Sequence, residues 1–164
     1  MSENESVFTF VYKGVDHHAY SIGDSHLPDL KDIISVHALP ITEDNKVIVV
    51  KVRSRGIDMM GGHVEPSETS VLETLNREVA EEAQLKIKDV CLIDVLEIKS
   101  ELITECDRRY IILYTAHIDE IGEFTPNDEI SERLIINHDE FANTYFGNAP
   151  TYINRLYSLA LKKF

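Results

Sequence analysis

The chain has 164 residues, enough to bury a core as one domain without disulfide staples, and its 43% hydrophobic and 27% charged residues are a globular balance, not that of a disordered tail. A formal net charge of −13 argues against a nucleic-acid backbone as the main partner, while leaving room for a small phosphorylated ligand bridged by a metal ion. No apolar run approaches the ~20 residues of a membrane helix, the acidic start MSENESVF is not a signal peptide, and Cys91 and Cys106 stand far apart, so the expected setting is a reducing cytoplasm.

Residues 6–22 hold two β-rich runs around Lys13-Gly14 and predict a hairpin, followed by a linker over residues 24–30 that contains Pro28. IISVHALPI, a polar turn over residues 42–45, and KVIVVKVRSR predict a second strand pair. Residues 56–66 read as a glycine-rich loop. A helix should follow, starting between Ser67 and Ser70 and ending near Gln84, with Leu72, Leu75, Val79 and Ala83 on its apolar face and Ser67 or Thr69 as cap. VCLIDVLEIKSEL and RRYIILYTAHI predict two strong strands. An acidic loop over residues 120–132, a strand RLIIN and a short helix DEFANTYF come next. PTYINRLYSLALKKF closes the chain as an amphipathic helix with Pro150 at its start and Lys162 and Lys163 at its C-terminal end. This order predicts an α+β fold in which a mixed sheet is held between helices, an α/β/α sandwich. Residues 1–30 form a β-rich N-terminal extension of the same domain, and residues 31–164 its main body.

The helix poses an electrostatic problem. Glu78, Glu81 and Glu82 share one face, and like charges at that spacing destabilise a helix by a few tenths of a kcal/mol per pair, roughly. Glu82 also borders the stripe formed by Leu75 and Val79, where a carboxylate needs compensation or a proton. Arg77 can pair with Glu73 or Glu81, but one guanidinium cannot neutralise three acids. A divalent hard cation can, and the preceding Gly61-Gly62 lets backbone approach an ion or ligand closely.

These residues resemble the Nudix hydrolase signature, G-x5-E-x7-R-E-U-x-E-E-x-G-U with U aliphatic: Gly62, Glu68, Arg77, Glu78, Val79, Glu81, Glu82 and Leu85 take its fixed positions. Eight residues rather than seven separate Glu68 from Arg77, and Gln84 stands where the glycine after E-E-x is expected. The resemblance implies hydrolysis of a nucleoside diphosphate linked to another moiety, with Mg²⁺ or Mn²⁺. It implies Glu78 and Glu82 as metal ligands with the Gly62 carbonyl, Glu81 as a further ligand or as the base orienting water, and Arg77 as the residue fixing the carboxylates. A nucleotide-binding module without catalysis is the alternative.

Outside the motif, Lys51, Arg53 and Arg55 alternate along the strand leading into the glycine loop, so all three point to the same side and could receive substrate phosphates. Glu129, with Asp128 and Glu132 beside it, is the candidate for an additional acid from a later loop. Arg108 and Arg109 are weaker candidates, Tyr110 and Tyr114 could stack on a base or pack in the core, and Met59-Met60 reads as core. The seven histidines show no paired ligand spacing. The partner expected is a small diphosphate-containing substrate, with no nucleic-acid duplex and no membrane. The N-terminal hairpin would suit a homodimer contact.

Overall fold

A computed structural model describes residues 5–164. The predicted hairpin forms as β1 (Phe8–Tyr12) and β2 (Val15–Ser21), and its turn residues Lys13 and Gly14 have φ of 51° and 74°. Two successive positive φ values match the right-handed twist of paired strands, which explains the glycine. After a 3₁₀ turn come β3 (Ile33–Pro40), β4 (Val47–Val52), β5 (Gly56–Asp58) and β6 (Met60–His63). Helix α1 (Val71–Glu78) continues as a π turn over Val79–Ala83. Strands β7 (Leu85–Lys99), β8 (Arg109–Ile121) and β9 (Ile130–Ile136) precede α2 (His138–Thr144) and α3 (Pro150–Leu161).

The strands make a six-stranded sheet in the order β1-β2-β7-β8-β3-β6 and a three-stranded sheet in the order β5-β4-β9. Only β3 and β8 run parallel among the paired strands described; the other pairs are antiparallel. This mixed sheet with helices on its two sides is the α+β architecture expected. One core packs α2 and α3 against it through Leu39, Ile93, Leu113, Phe141, Tyr152 and Leu156. The other lies under α1 and is built from Val36, Val50, Met60, Leu75, Val79 and Ile112. Tyr110, Tyr114, Met59 and Met60 are all buried in these cores. Among the described residues, no helix is long and apolar enough to cross a membrane.

Two sequence expectations are corrected. The runs on either side of residues 42–45 are joined by a polar turn but do not form a ladder. They meet at a single bridge, Ile41 to Val47, and then enter different sheets. Pro40, which has no N–H to donate, ends β3 at that divergence. The supposed loop over residues 56–66 contains β5 and β6, the second of which hydrogen-bonds to β3 and carries both glycines to the sheet edge.

A buried carboxylate fastens the N-terminal segment to this frame. Asp94 is fully buried and accepts hydrogen bonds from Tyr152 Oη at 2.6 Å, Ser21 Oγ at 2.9 Å, Gly23 N at 3.1 Å and its neighbour Val95 N at 2.9 Å. One side chain thus joins α3, β7 and the end of β2. Asp94→Ala leaves these donors without their acceptor in a dry interior, and is expected to lower unfolding free energy by about 3 kcal/mol. Urea titration checks it, with Asp94→Asn expected to lose less because it keeps one acceptor oxygen.

Candidate active site

The acidic helix begins where the chain can cap it. Ser70 Oγ accepts from Glu73 N at 3.2 Å, while Glu73 Oε2 accepts from Thr69 N and Thr69 Oγ1 at 2.9 and 3.1 Å. The cap is therefore Ser70, not Ser67 or Thr69, and Glu73 is engaged at the helix start instead of pairing with Arg77. Leu75, Val79 and Ala83 are buried as expected and are joined by Val71 and Thr74, whereas Leu72 faces outward, 44% exposed.

Beyond Glu78 the helix widens into the π form, an i→i+5 turn frequent at functional sites. It ends at Gln84, whose φ of 54° and ψ of 47° are the left-handed values a glycine would adopt freely. The glutamine side chain compensates. Its Nε2 donates to Thr125 O at 2.7 Å, and its Oε1 accepts from Thr125 N at 2.9 Å. The substitution for glycine thus ties the helix end to the acidic loop.

Glu78 and Glu82 point inward and Glu81 outward. Glu82 is 4% exposed and accepts from Gly61 N at 2.9 Å. Burial pushes its pKa up to about 8 against that hydrogen bond, and the charges of Glu78, Glu129 and Asp58 add to the rise. Burial also raises Glu78, opposed by the Arg77 guanidinium. Gly61 is required here, because at a φ of 154° a Cβ would clash with the Val36 carbonyl and the His37 backbone, while one on Gly62 would displace the Glu78 carboxylate.

Arg77 is the hub of the site. Its Nε and Nη2 donate to Glu68 at 3.2 and 3.0 Å, Nη1 donates to Glu78 at 2.7 Å and to Glu81 at 3.2 Å, and Nη2 also donates to His63 O at 2.9 Å. The extra residue before Arg77 therefore leaves the Glu68 pair intact, because Glu68 sits in the turn ahead of the helix cap. That guanidinium holds the Glu68 carboxyl down to about 2. Among the described residues, no three acids, histidines or cysteines already converge in metal-binding geometry. The donor set nevertheless suits a hard cation: buried carboxylate oxygens, with Glu82 strongly disfavoured as an anion.

A cavity of about 680 Å³, within the ~300–1,000 Å³ usual for ligand pockets, joins these residues to others distant in sequence. Glu78, Glu81, Glu82, Arg77, Gly62 and Glu129 line it. Glu129 is placed by its loop: Asn127 Oδ1 accepts from Glu129 N and Ile130 N at 2.9 and 2.7 Å. Arg53 N donates to Glu129 O at 2.9 Å, and Arg53 Nε to Asn127 O at 2.9 Å.

The three cations expected on one side separate. Strand β4 ends at Val52, so the alternation stops after Lys51. Lys51 pairs with Glu132 at 3.1 Å, Arg53 braces the Glu129 loop, and Arg55 lines the cavity. Arg109 is engaged by Asp107, and Asp128 and Arg108 are exposed. Sequence reasoning missed Asp58, a buried acid held by Arg55 Nε and Nη2 at 2.9 Å each. It also gave no role to His37, whose Nε2 lies 3.1 Å from Ser35 Oγ. Its Nδ1 is buried without a partner among the described residues, and burial lowers its pKa, so the ring is neutral.

The NUDIX domain model matches residues 31–154. The chain belongs to the NUDIX domain family. A Nudix-type pyrophosphohydrolase is what this membership and the acidic helix together indicate. No curated protein sequence matches this Nudix chain. The fold is shared with solved Nudix structures at low identity. The Bacillus subtilis pyrophosphohydrolase BsRppH is similar with a TM-score of 0.65 and 18% identity, over 99% of this chain and 95% of that one. The NUDIX domain of Shewanella oneidensis NrtR, solved with ADP ribose, gives 0.61 and 14%, over 85% and 94%. A C. elegans Ap4A hydrolase gives 0.57 and 13%, over 79% and 99%.

Proposed function

We propose that this Nudix chain hydrolyses the diphosphate linkage of a nucleoside diphosphate joined to another moiety, using Mg²⁺ or Mn²⁺. The observation that carries the reading is the pair of inward carboxylates, Glu78 and Glu82, at the wall of an open cavity where burial raises the pKa of both. Glu78, Glu82 and Glu81, with the Gly62 carbonyl, would hold the ion. When bound, it offsets the charge of the anhydride and polarises a phosphoryl oxygen.

The chain's own groups supply the rest. Arg77 keeps Glu78 and Glu81 in place from below. Arg55, at the cavity wall, meets an incoming phosphate, though Asp58 already engages one edge of its guanidinium. Glu129, or Glu81 where it does not ligate the ion, is the acid suited to accept the proton of the attacking water, since both line the cavity. Of the N-terminal extension, residues 5–30 belong to the same domain in this reading, because β2 extends the main sheet through β7 and Ser21 bonds to Asp94, while residues 1–4 lie outside the described residues.

The neighbours' named ligands, ADP ribose and Ap4A, each carry adenosine on a phosphate chain, which sets the start of a substrate panel. Nucleotide-sugars and nucleoside triphosphates complete it. Cleavage of at least one member is expected with Mg²⁺ or Mn²⁺ and none with chelator. A folded protein inert toward the whole panel, yet stabilised by one nucleotide, would establish the non-catalytic binding module instead.

A further inference from the structure

The cavity that holds the carboxylates is also lined by aromatic rings: β1 contributes Phe8, Phe10 and Tyr12, and the segment after α2 contributes Tyr145 and Phe146. Alternate residues of a strand share a face, so the FTFVY run delivers three rings to one side. Two of these rings are braced by a cross-strand neighbour. Phe10 stacks on His17 with centroids 5.3 Å apart, and Tyr12 meets the same imidazole edge-on at 5.7 Å. Tyr145 packs edge-on against Phe146, and the Arg55 guanidinium lies 5.4 Å from the Phe146 centroid. Yet Tyr12 is 54% and Phe146 40% exposed, an unusual outlay of aromatic surface beside a polar site.

A molecule that fills this cavity must offer an anion to a carboxylate-held ion and a flat face to the rings. A nucleobase presents a π face that stacks on such rings whatever its identity, and Arg55 beside Phe146 adds a cation to that platform. We infer that the N-terminal hairpin, with Tyr145 and Phe146 across from it, forms a stacking subsite for the nucleobase of the substrate. Residues 8–12 lie outside the stretch 31–154 matched by the family model, while Tyr145 and Phe146 lie inside it. The inference rests on the reading of the cavity as a nucleoside diphosphate site.

Calorimetric titration of the full chain in Mg²⁺ with AMP, GMP, UMP and ribose 5-phosphate tests it without requiring turnover. At least one nucleotide is expected to bind about tenfold or more tightly than ribose 5-phosphate. Tyr12→Ala and Phe146→Ala should each weaken that nucleotide by about tenfold, leave ribose 5-phosphate unchanged, and be rescued by Tyr12→Phe and Phe146→Tyr. Both rings are exposed enough for removal without unfolding, which circular dichroism verifies. Equal affinity for all four probes, or variants with unaltered nucleotide affinity, would overturn the subsite. A dimer that Tyr12→Ala dissociates while AMP affinity stays constant would assign the hairpin to self-association. Failure of the hydrolysis panel with base-dependent binding intact would sink only the catalytic reading.

Discussion

Glu82→Gln is expected to lower kcat by about a thousandfold or more while leaving the metal-free protein at least as stable as the parent. Both effects have one cause. Glu82 is buried beside Val79 and Leu75, with the Gly61 N–H as its hydrogen-bond donor and the charges of Glu78, Glu129 and Asp58 around it. Its pKa in the folded chain is pushed up from 4.5 to about 8. Between those values the folded state holds a proton that the unfolded state has released, so stability must fall as pH rises through that window. At roughly 1.4 kcal/mol per tenfold change in proton affinity, the metal-free chain should lose on the order of 3–5 kcal/mol by pH 8. Melting temperature in chelator should therefore decline from about pH 5 to about pH 8 in the parent, and decline much less in Glu82→Gln, which mimics the protonated acid. Added Mg²⁺ or Mn²⁺ should raise the parent at pH 8 and leave the variant nearly unmoved. A parent whose stability rises over this range in chelator would contradict the assignment of Glu82 as a carboxylate held at a cost.

That coupling of instability and function was visible in the sequence because it is local. Glu78, Glu81, Glu82 and Arg77 fall within one helical turn and a half, and helix geometry brings them together whatever the rest of the chain does. The glycines were equally legible, since Gly61 and Gly62 precede the helix in a pattern with few other uses. Chain order also indicated a mixed sheet between helices. What failed was fixed by tertiary competition. Strands β3 and β4 read as a hairpin because a polar turn joins them, yet β3 finds better partners in β6 and β8, and no local signal ranks those options. Lys51, Arg53 and Arg55 looked like one row because nothing local shows that β4 stops at Val52. Asp94 and Tyr152, 58 residues apart, meet only after the sheet and α3 have docked. The aromatic wall needs β1 and the segment after α2 at once. The alternation of Phe8, Phe10 and Tyr12 was the one available hint of it.

The Glu68–Arg77 pair is the sharpest test of how that helix works, because it separates stability from catalysis. Arg77→Ala strips the counter-charge from Glu68, which is buried, and from the inward Glu78. Removing one partner of a buried pair usually costs about 3–5 kcal/mol, and with Arg77 itself partly exposed a loss of about 3 kcal/mol is expected here. Arg77→Lys should recover little of it, since a single ammonium cannot reach Glu68 with two bonds while also holding Glu78 and the His63 carbonyl. The double variant Arg77→Ala with Glu68→Gln removes the orphaned charge together with its partner, so its unfolding free energy should lie above that of Arg77→Ala alone. Activity should behave differently. If Arg77 acts by fixing Glu78 and Glu81, all three variants should show kcat/KM down by about a hundredfold, and the regained stability of the double variant should bring none of it back. A double variant that recovers both together would mean that Arg77 serves the fold alone.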